Sequence, residues 1–196
     1  MDFSSLLKQV ALHITFNEEE KALFTSVLRV KKVKRKQFLE QPGFVSKYRS
    51  FVVEGALRGF FIDVNGQEQT ISLAVDHSWI GDHGSFVFQE PATLFIEALE
   101  DSTLIQWTYE SEQLLLETIP QYAAMMMRRS QQIAVMIQSR LISNLTLSAE
   151  DRYKEFAQQN PAMVHRIPIY IIASYLGMTR ESLSKIRNRK ISSKLD

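Results

Sequence analysis

Between Ile169 and Lys190 the chain reads IYIIASYLGMTRESLSKIRNRK, and no other stretch restricts the fold as tightly. With Ile169 as the first position of a helix-turn-helix, the small residue falls at Ala173, where two helices must cross closely. Glycine falls at Gly177, in the turn, where a positive φ is wanted. Thr179 stands where its hydroxyl can cap the second helix. Ile172, Leu176, Met178, Leu183 and Ile186 are spaced to face inward from both helices. This ordering of small residue, glycine, cap and aliphatic positions predicts a helix-turn-helix, which a basic run alone would not.

With Leu183 and Ile186 inward, the outer face of the second helix carries Arg180, Glu181, Ser184, Lys185, Arg187 and Asn188. Helices that read DNA reach base edges chiefly from their N-terminal half. There Arg180 and Lys185 can donate to guanine O6 and N7, and Glu181 can accept from cytosine N4. A carboxylate would repel phosphate, so base reading suits Glu181 better. A pair with Lys185 one turn on is a second role, worth only roughly a few tenths of a kcal/mol. Arg187, Arg189 and Lys190 suit phosphate contacts, which give affinity and salt dependence without sequence information. The Thr179 and Ser182 hydroxyls can also reach phosphate at the helix start. The candidate DNA-binding set is therefore Thr179, Arg180, Glu181, Ser182, Ser184, Lys185, Arg187, Asn188 and Arg189.

The whole chain does not advertise such a partner. Its 196 residues carry a net charge of only +1, so the basic charge a nucleic acid needs must be local. The length suffices for a real core, and 45% apolar with 23% charged residues is ordinary for a globular protein. Cysteine is absent, which excludes disulfides, thiolate metal sites, iron–sulfur clusters and thiol nucleophiles together. The opening MDFSSLLKQVALHITF lacks the pattern of a signal peptide, and no apolar run approaches the ~20 residues of a membrane span. The expectation is a cytoplasmic protein with no membrane partner.

Upstream the chain divides into three regions. Met1 to about Lys31 reads as short helices, with Asn17 capping a helix that begins EEEKALF. From about Val30 to Tyr109, short runs rich in β-branched and aromatic residues alternate with turn signals, which predicts a sandwich or small barrel. DVNGQE predicts a two-residue type I′ hairpin at Asn65-Gly66. KKVKRK, Lys31 to Lys36, reads as the solvated edge of a strand or a helix end, with a DNA-facing patch as the alternative. Beyond Glu110 the chain turns helical. Pro120 suits a first helical turn, and Gln121 to about Asn144 contains neither Gly nor Pro. A helix of ~25 residues would run ~37 Å. Its apolar surface is wider than one neighbour could cover, so it lies along the β region or pairs with its copy in a second chain. Leu145 to Ser148 reads as a break, followed by a helix from Ala149 to Gln159.

In element order the chain resembles the CRP/FNR family of bacterial transcription regulators over nearly its whole length. The match is strongest at LGMTRESLSKIR, where Arg180, Glu181 and Lys185 fit the family's recognition helix. FVVEGALRGFF and WIGD, Trp79 to Asp82, resemble a family strand and the start of its phosphate-binding cassette. The resemblance implies an α+β fold: an N-terminal double-stranded β-helix, jelly-roll-like, over 1–115, a dimerisation helix over 116–146, and a helix-turn-helix domain over 147–196. It implies near-palindromic double-stranded DNA and a second copy of the chain as partners, with RNA polymerase a further one. The family often continues into a β-hairpin wing, for which KISSKLD is too short.

The departures concern the effector. The family's cyclic-nucleotide binders hold the ribose with Gly-Glu and clamp the phosphate with an Arg beside a small hydroxyl residue. Here Asp82 replaces the Glu, and Ala92 stands where the Arg would be, followed by Thr93. Losing that guanidinium removes a charge-assisted contact worth about 2–4 kcal/mol in a buried site. The candidate effector pocket is Gly81, Asp82, Thr93, Ile137 and Gln138; useful cyclic AMP binding is not expected there, the effector is left open, and no cofactor is expected. Phe86, Phe88 and Phe95 could instead fill the space a nucleotide would use. His77 and His83 flank WIGD but read as ordinary loop residues rather than metal ligands. A small-molecule-binding β-barrel or cupin-type enzyme is the competing reading, and four scattered histidines do not supply its metal cluster.

Overall fold

The computed structural model describes residues 3–192, with side chains through Arg189. Two short helices open the chain, α1 (Ser4–Ala11) and α2 (Glu18–Ser26). Asn17 caps α2 in a full capping box: its side chain accepts from Glu20 N, and the Glu20 carboxylate accepts from Asn17 N.

Eight strands follow: β1 (Arg29–Val33), β2 (Phe38–Glu40), β3 (Tyr48–Glu54), β4 (Leu57–Ile62), β5 (Glu68–Ala74), β6 (Trp79–Ile80), β7 (Phe95–Ala98) and β8 (Ser102–Thr108). One further helix, α3 (His83–Phe88), sits between β6 and β7. The strands form two antiparallel sheets of four, ordered β1-β8-β3-β6 and β2-β7-β4-β5. Because the chain passes repeatedly between the sheets, it closes into the expected double-stranded roll. Period-two alternation sends Val52 and Leu104 into the roll, where they meet Leu57, Ala74, Ile96 and Ala98 of the other sheet. Their neighbours Phe51, Ile105 and Trp107 face the opposite side. The lysines of KKVKRK begin on β1, an edge strand with Lys31 and Lys32 exposed, as the edge reading expects.

The hairpin at DVNGQE departs from expectation. The loop spans five residues, 63 to 67, and only Gly66 has a positive φ, of 76°. Asp63 explains the difference: its backbone O accepts from Gly66 N, and its carboxylate accepts from Asn65 N and Gln67 N. That local bonding holds Asn65 out of the left-handed region, so a longer turn ending on one glycine replaces type I′.

Helices α4 (Tyr109–Thr118) and α5 (Pro120–Thr146) leave the roll, with Pro120 in the first turn of α5. Against the outer face of β3 and β8 they build an apolar cluster with α1 and α2 that includes Leu6, Phe24, Leu115 and Tyr122. A charge is buried at its heart. The Glu112 side chain is 2% exposed; its carboxylate accepts from Trp107 Nε1 and Tyr122 OH, and Arg49 Nε stands 2.9 Å away. The Arg49 contact is an ion pair by proximity, since its N–H is not aimed along the axis. Burial first, and then the Glu112 charge, push the Tyr122 phenol well above its usual pKa, which keeps it a donor.

Beyond a two-residue break at Leu147 and Ser148 come α6 (Ala149–Gln159), α7 (Pro161–Arg166), α8 (Ile169–Tyr175) and α9 (Arg180–Ser192). Residues 193–196 lie outside the described residues, and with them the end of KISSKLD on which the absence of a wing was read. Among the described residues no helix is long and apolar enough to cross a membrane.

Candidate functional site

The C-terminal helices assemble around Tyr153 and Phe156 of α6, Ile171, Ile172 and Ala173 of α8, and Leu183 and Ile186 of α9. The turn between α8 and α9 follows from its sequence. Gly177 adopts φ 63°, its N–H donates to Ser174 O, and Met178 N donates to Ala173 O. This pair of bonds satisfies the last carbonyls of α8 and needs a residue that tolerates the left-handed region. Thr179 then caps α9 through Ser182 N, while its hydroxyl donates to Ser182 Oγ. Arg152 of α6 fixes the turn from outside, donating through Nε to Leu176 O and through a terminal nitrogen to Leu147 O.

The candidate DNA-binding residues therefore come together on one helix. Thr179, Arg180, Glu181, Ser182, Lys185, Asn188 and Arg189 are exposed, while Ser184 and Arg187 are half-buried at the edges of that face. Among the described residues Glu181 and Lys185 form no ion pair with each other. Lys190 has no described side chain.

The helix-turn-helix is docked on the roll, an arrangement the sequence did not signal. Ser174 of α8 covers the free edge of β5: its Oγ accepts from Thr70 N at 2.9 Å and donates to Glu68 O at 3.1 Å. Leu73, Val75 and Leu99 pack against the helical core. Arg166 grips Asp76 with both terminal nitrogens, at 2.8 and 3.1 Å, and also pairs with Glu100. Arg140 of α5 donates to Ile71 O at 2.6 Å, its guanidinium 4.7 Å from the Tyr175 ring centroid. These contacts set the orientation of the helix-turn-helix relative to the roll and α5.

At the cassette, the Asp82 carboxylate accepts from Ser85 N at the start of α3 and from Thr93 N, Thr93 Oγ1 and Leu94 N. Burial alone would raise its pKa, but those N–H donors hold it below the usual carboxylate range. Beside it lies Glu40 of β2, which the sequence reading missed. Its Oε2 accepts from Asp82 N at 2.8 Å and from Ser46 Oγ at 2.6 Å, and its Oε1 lies against Gly81.

No family model matches the chain, and no curated protein matches it. Solved structures do. The c-di-GMP-responsive global regulator CLP of Xanthomonas campestris aligns over 91% of this chain and 94% of its own, at 13% identity and a TM-score of 0.68. FixK2 of Bradyrhizobium japonicum aligns over 86% of each chain at 17% identity, TM-score 0.71. A CooA variant from Carboxydothermus hydrogenoformans covers 98% of this chain and 85% of its own, at 18% identity and TM-score 0.69. The fold is that of the CRP/FNR regulators.

Against the CRP/FNR pattern, the cassette is occupied from within. The backbone N–H groups of Thr93 and Leu94, beside the missing Arg, already serve a carboxylate of the chain itself. Glu40 takes the N–H of Asp82 in the same way. Of the other expected pocket residues, Thr93 joins Asp82, whereas Ile137 and Gln138 are exposed on α5. Neither the cavity beside Trp79 and Arg129 nor the one beside Tyr48 and Tyr109 is lined by any of the five. The aromatic residues divide. Phe86 is buried beneath Arg49 and Tyr109, Phe95 stacks on Phe60 with Phe38 tilted against it, and Phe88, 73% exposed, fills nothing. His77 sits in a left-handed turn near Phe51, and His83 opens α3.

The adjacent carboxylates respond to acid in opposite directions. Burial raises the Glu40 pKa, against the Ser46 hydroxyl and the Asp82 N–H, and the Asp82 charge raises it further. A raised native pKa gives stability that is lost as pH rises through that value and regained as pH falls towards the ordinary carboxylate range. Glu40→Gln keeps both accepted hydrogen bonds and removes the charge. The variant is expected to be at least as stable as the wild type at pH 7–8, with its advantage shrinking on mild acidification. Urea denaturation from about pH 8 to 5 checks this; an advantage that widens towards acid would contradict it.

Proposed function

We propose that the chain is a homodimeric, sequence-specific DNA-binding transcriptional regulator, not an enzyme, and not controlled by cyclic AMP. The observation that carries this reading is α9 itself. A threonine-capped helix is pinned by Leu183 and Ile186 to its own small core, and it presents Arg180, Glu181, Lys185 and Arg189 to solvent on a chain of net charge +1. Basic charge concentrated on one protruding helix suits a polyanion groove. Residues 1–115 serve as the effector-type domain, 116–146 as the pairing helix and 147–196 as the DNA-reading domain, working in the cytoplasm on near-palindromic duplex DNA, with RNA polymerase as a further contact.

Dimerisation is supported by α5. Met127, Ala134, Leu141 and Leu145 recur along one exposed line of the helix, flanked by Val135, Ile137 and Ile142, with Leu145 76% exposed. A continuous apolar stripe of this kind needs a partner, and two copies of α5 supply one symmetrically. The absence of a cyclic-nucleotide response is supported by Glu40 and Asp82, which hold the cassette donors.

Leu141→Glu is expected to convert the dimer into monomers by sedimentation at micromolar protein. It should also weaken duplex binding at least tenfold, since each head then loses its tethered twin. For the wild type, log K should fall linearly with log salt, by roughly 0.9 per phosphate neutralised. A wild-type chain that sediments as a monomer, or binds duplex without salt dependence, would overturn the proposal.

A further inference from the structure

Away from both cassette and α9, a cavity of about 70 Å³ opens between α1, β6 and α5. Gln9 comes from α1 and His13 from the turn just after it, Trp79 from β6, and Arg128, Arg129 and Gln132 from α5, over an apolar floor of Val10 and Met125. No acidic residue lines it. The volume suits a few waters or one small anion, at roughly 10–15 Å³ for each water, and falls short of the ~300 Å³ of ordinary small-molecule sites.

Arg129 is the unusual member. It is half-buried, with its guanidinium 4.4 Å from the Trp79 ring centroid. Among the described residues it has no hydrogen-bonded or ion-paired acceptor. Glu112, the nearby buried acid, is already engaged with Arg49, Trp107 and Tyr122. Burial, and then the charge of Arg49, lower the Arg129 pKa to about 10, so it remains charged at neutral pH. A ring face offsets only part of what a guanidinium with five donors loses on leaving water. Successive turns of α5 place Arg129, Met125 and Gln132 on the side away from the Met127–Leu141–Leu145 stripe. A second copy seated on that stripe therefore would not bring its own acids to Arg129.

We infer that this cavity is a binding site for a small anion, a carboxylate or a phosphate group, held by Arg129 with Arg128 and the two glutamines at its rim. The apolar floor and Trp79 would accept a short apolar tail behind the charge. An anion here bridges α1 and the first half of α5, and so ties the N-terminal helices to the pairing helix. The inference goes beyond the proposed regulator and is independent of it, because its test contains no DNA.

The full chain is titrated with sodium phosphate and, separately, sodium butyrate, at constant ionic strength made up with sodium chloride. Heat and tryptophan fluorescence are recorded together, since Trp79 forms the wall. A saturable response to at least one salt is expected, weakened at least tenfold in Arg129→Gln and about threefold in the exposed Arg128→Gln. Response to phosphate alone assigns a phosphate-bearing ligand; response to butyrate alone assigns a carboxylate. Response to neither salt, or undiminished affinity in Arg129→Gln, overturns the site. If Arg129→Gln loses its helical circular dichroism, Arg128→Gln decides instead, and unchanged affinity there overturns it equally.

Discussion

Glu112→Ala is expected to destabilise the protein by about 3–5 kcal/mol, the cost typical of removing one partner from a buried ion pair. The Glu112 side chain is 2% exposed and that of Arg49 13%, so the orphaned guanidinium could not recover water without opening the cluster. The substitution also strips Trp107 Nε1 and the Tyr122 hydroxyl of their shared acceptor, in a layer where Phe24 packs edge to face on Trp107 and tilted against Tyr122. Each unmet buried donor adds roughly 1–3 kcal/mol before relaxation, so the combined loss need not be additive. Against a typical total of ~5–15 kcal/mol, this would leave the chain marginal. Glu112→Gln keeps one acceptor oxygen for the ring donors and should cost clearly less. Paired urea melts of the two variants check the ordering; equal losses would mean that the charge carries the effect and the accepted hydrogen bonds contribute little.

The second large effect concerns DNA rather than stability. Arg180→Ala is expected to lower affinity for the preferred site by about 1–3 kcal/mol per half-site, roughly 5- to 150-fold, and to relax the base preference there. A two-fold dimer carries the loss twice. Because Arg180 is exposed and makes no contact in the helical core, its melting curve should not move. Arg189→Ala, also exposed but on the opposite flank of α9, should weaken all sequences alike and shallow the salt dependence by about one phosphate. Competition between preferred and scrambled duplexes separates these patterns. An Arg180→Ala variant that loses both duplexes equally would demote that residue to a phosphate contact.

These expectations depend on how plainly the helix-turn-helix is written. Gly177 is there because the turn needs φ 63°, Thr179 because α9 needs a cap, and Ala173, Leu183 and Ile186 because two helices cross. Local chemistry determines each of these, so the element could be read from a window of some twenty residues. The same holds for the capping box at Asn17 and for Pro120 opening α5. What failed to show involves partners far apart in the chain. Glu40 meets Asp82 across forty-two positions, and Arg166 meets Asp76 across ninety. No periodicity announces such pairs, and an isolated Glu on a short strand reads as surface. Glu112 misleads in the same way, since an acid in the first turn of a helix normally faces water. At DVNGQE the Asn-Gly signal was real, but Asp63 outbid it with its own backbone and carboxylate bonds.

The central claim is that α9 reads DNA as one of a symmetric pair. Its most direct test is selection of binding sites from random double-stranded DNA by the purified full chain, repeated with a cytoplasmic metabolite extract and with Arg180→Ala. The expected result is a two-fold symmetric motif with half-sites about one helical turn apart, ~34 Å, enriched by the wild type and eroded at one position per half-site by the variant. A pool that stays random with and without the extract would contradict it.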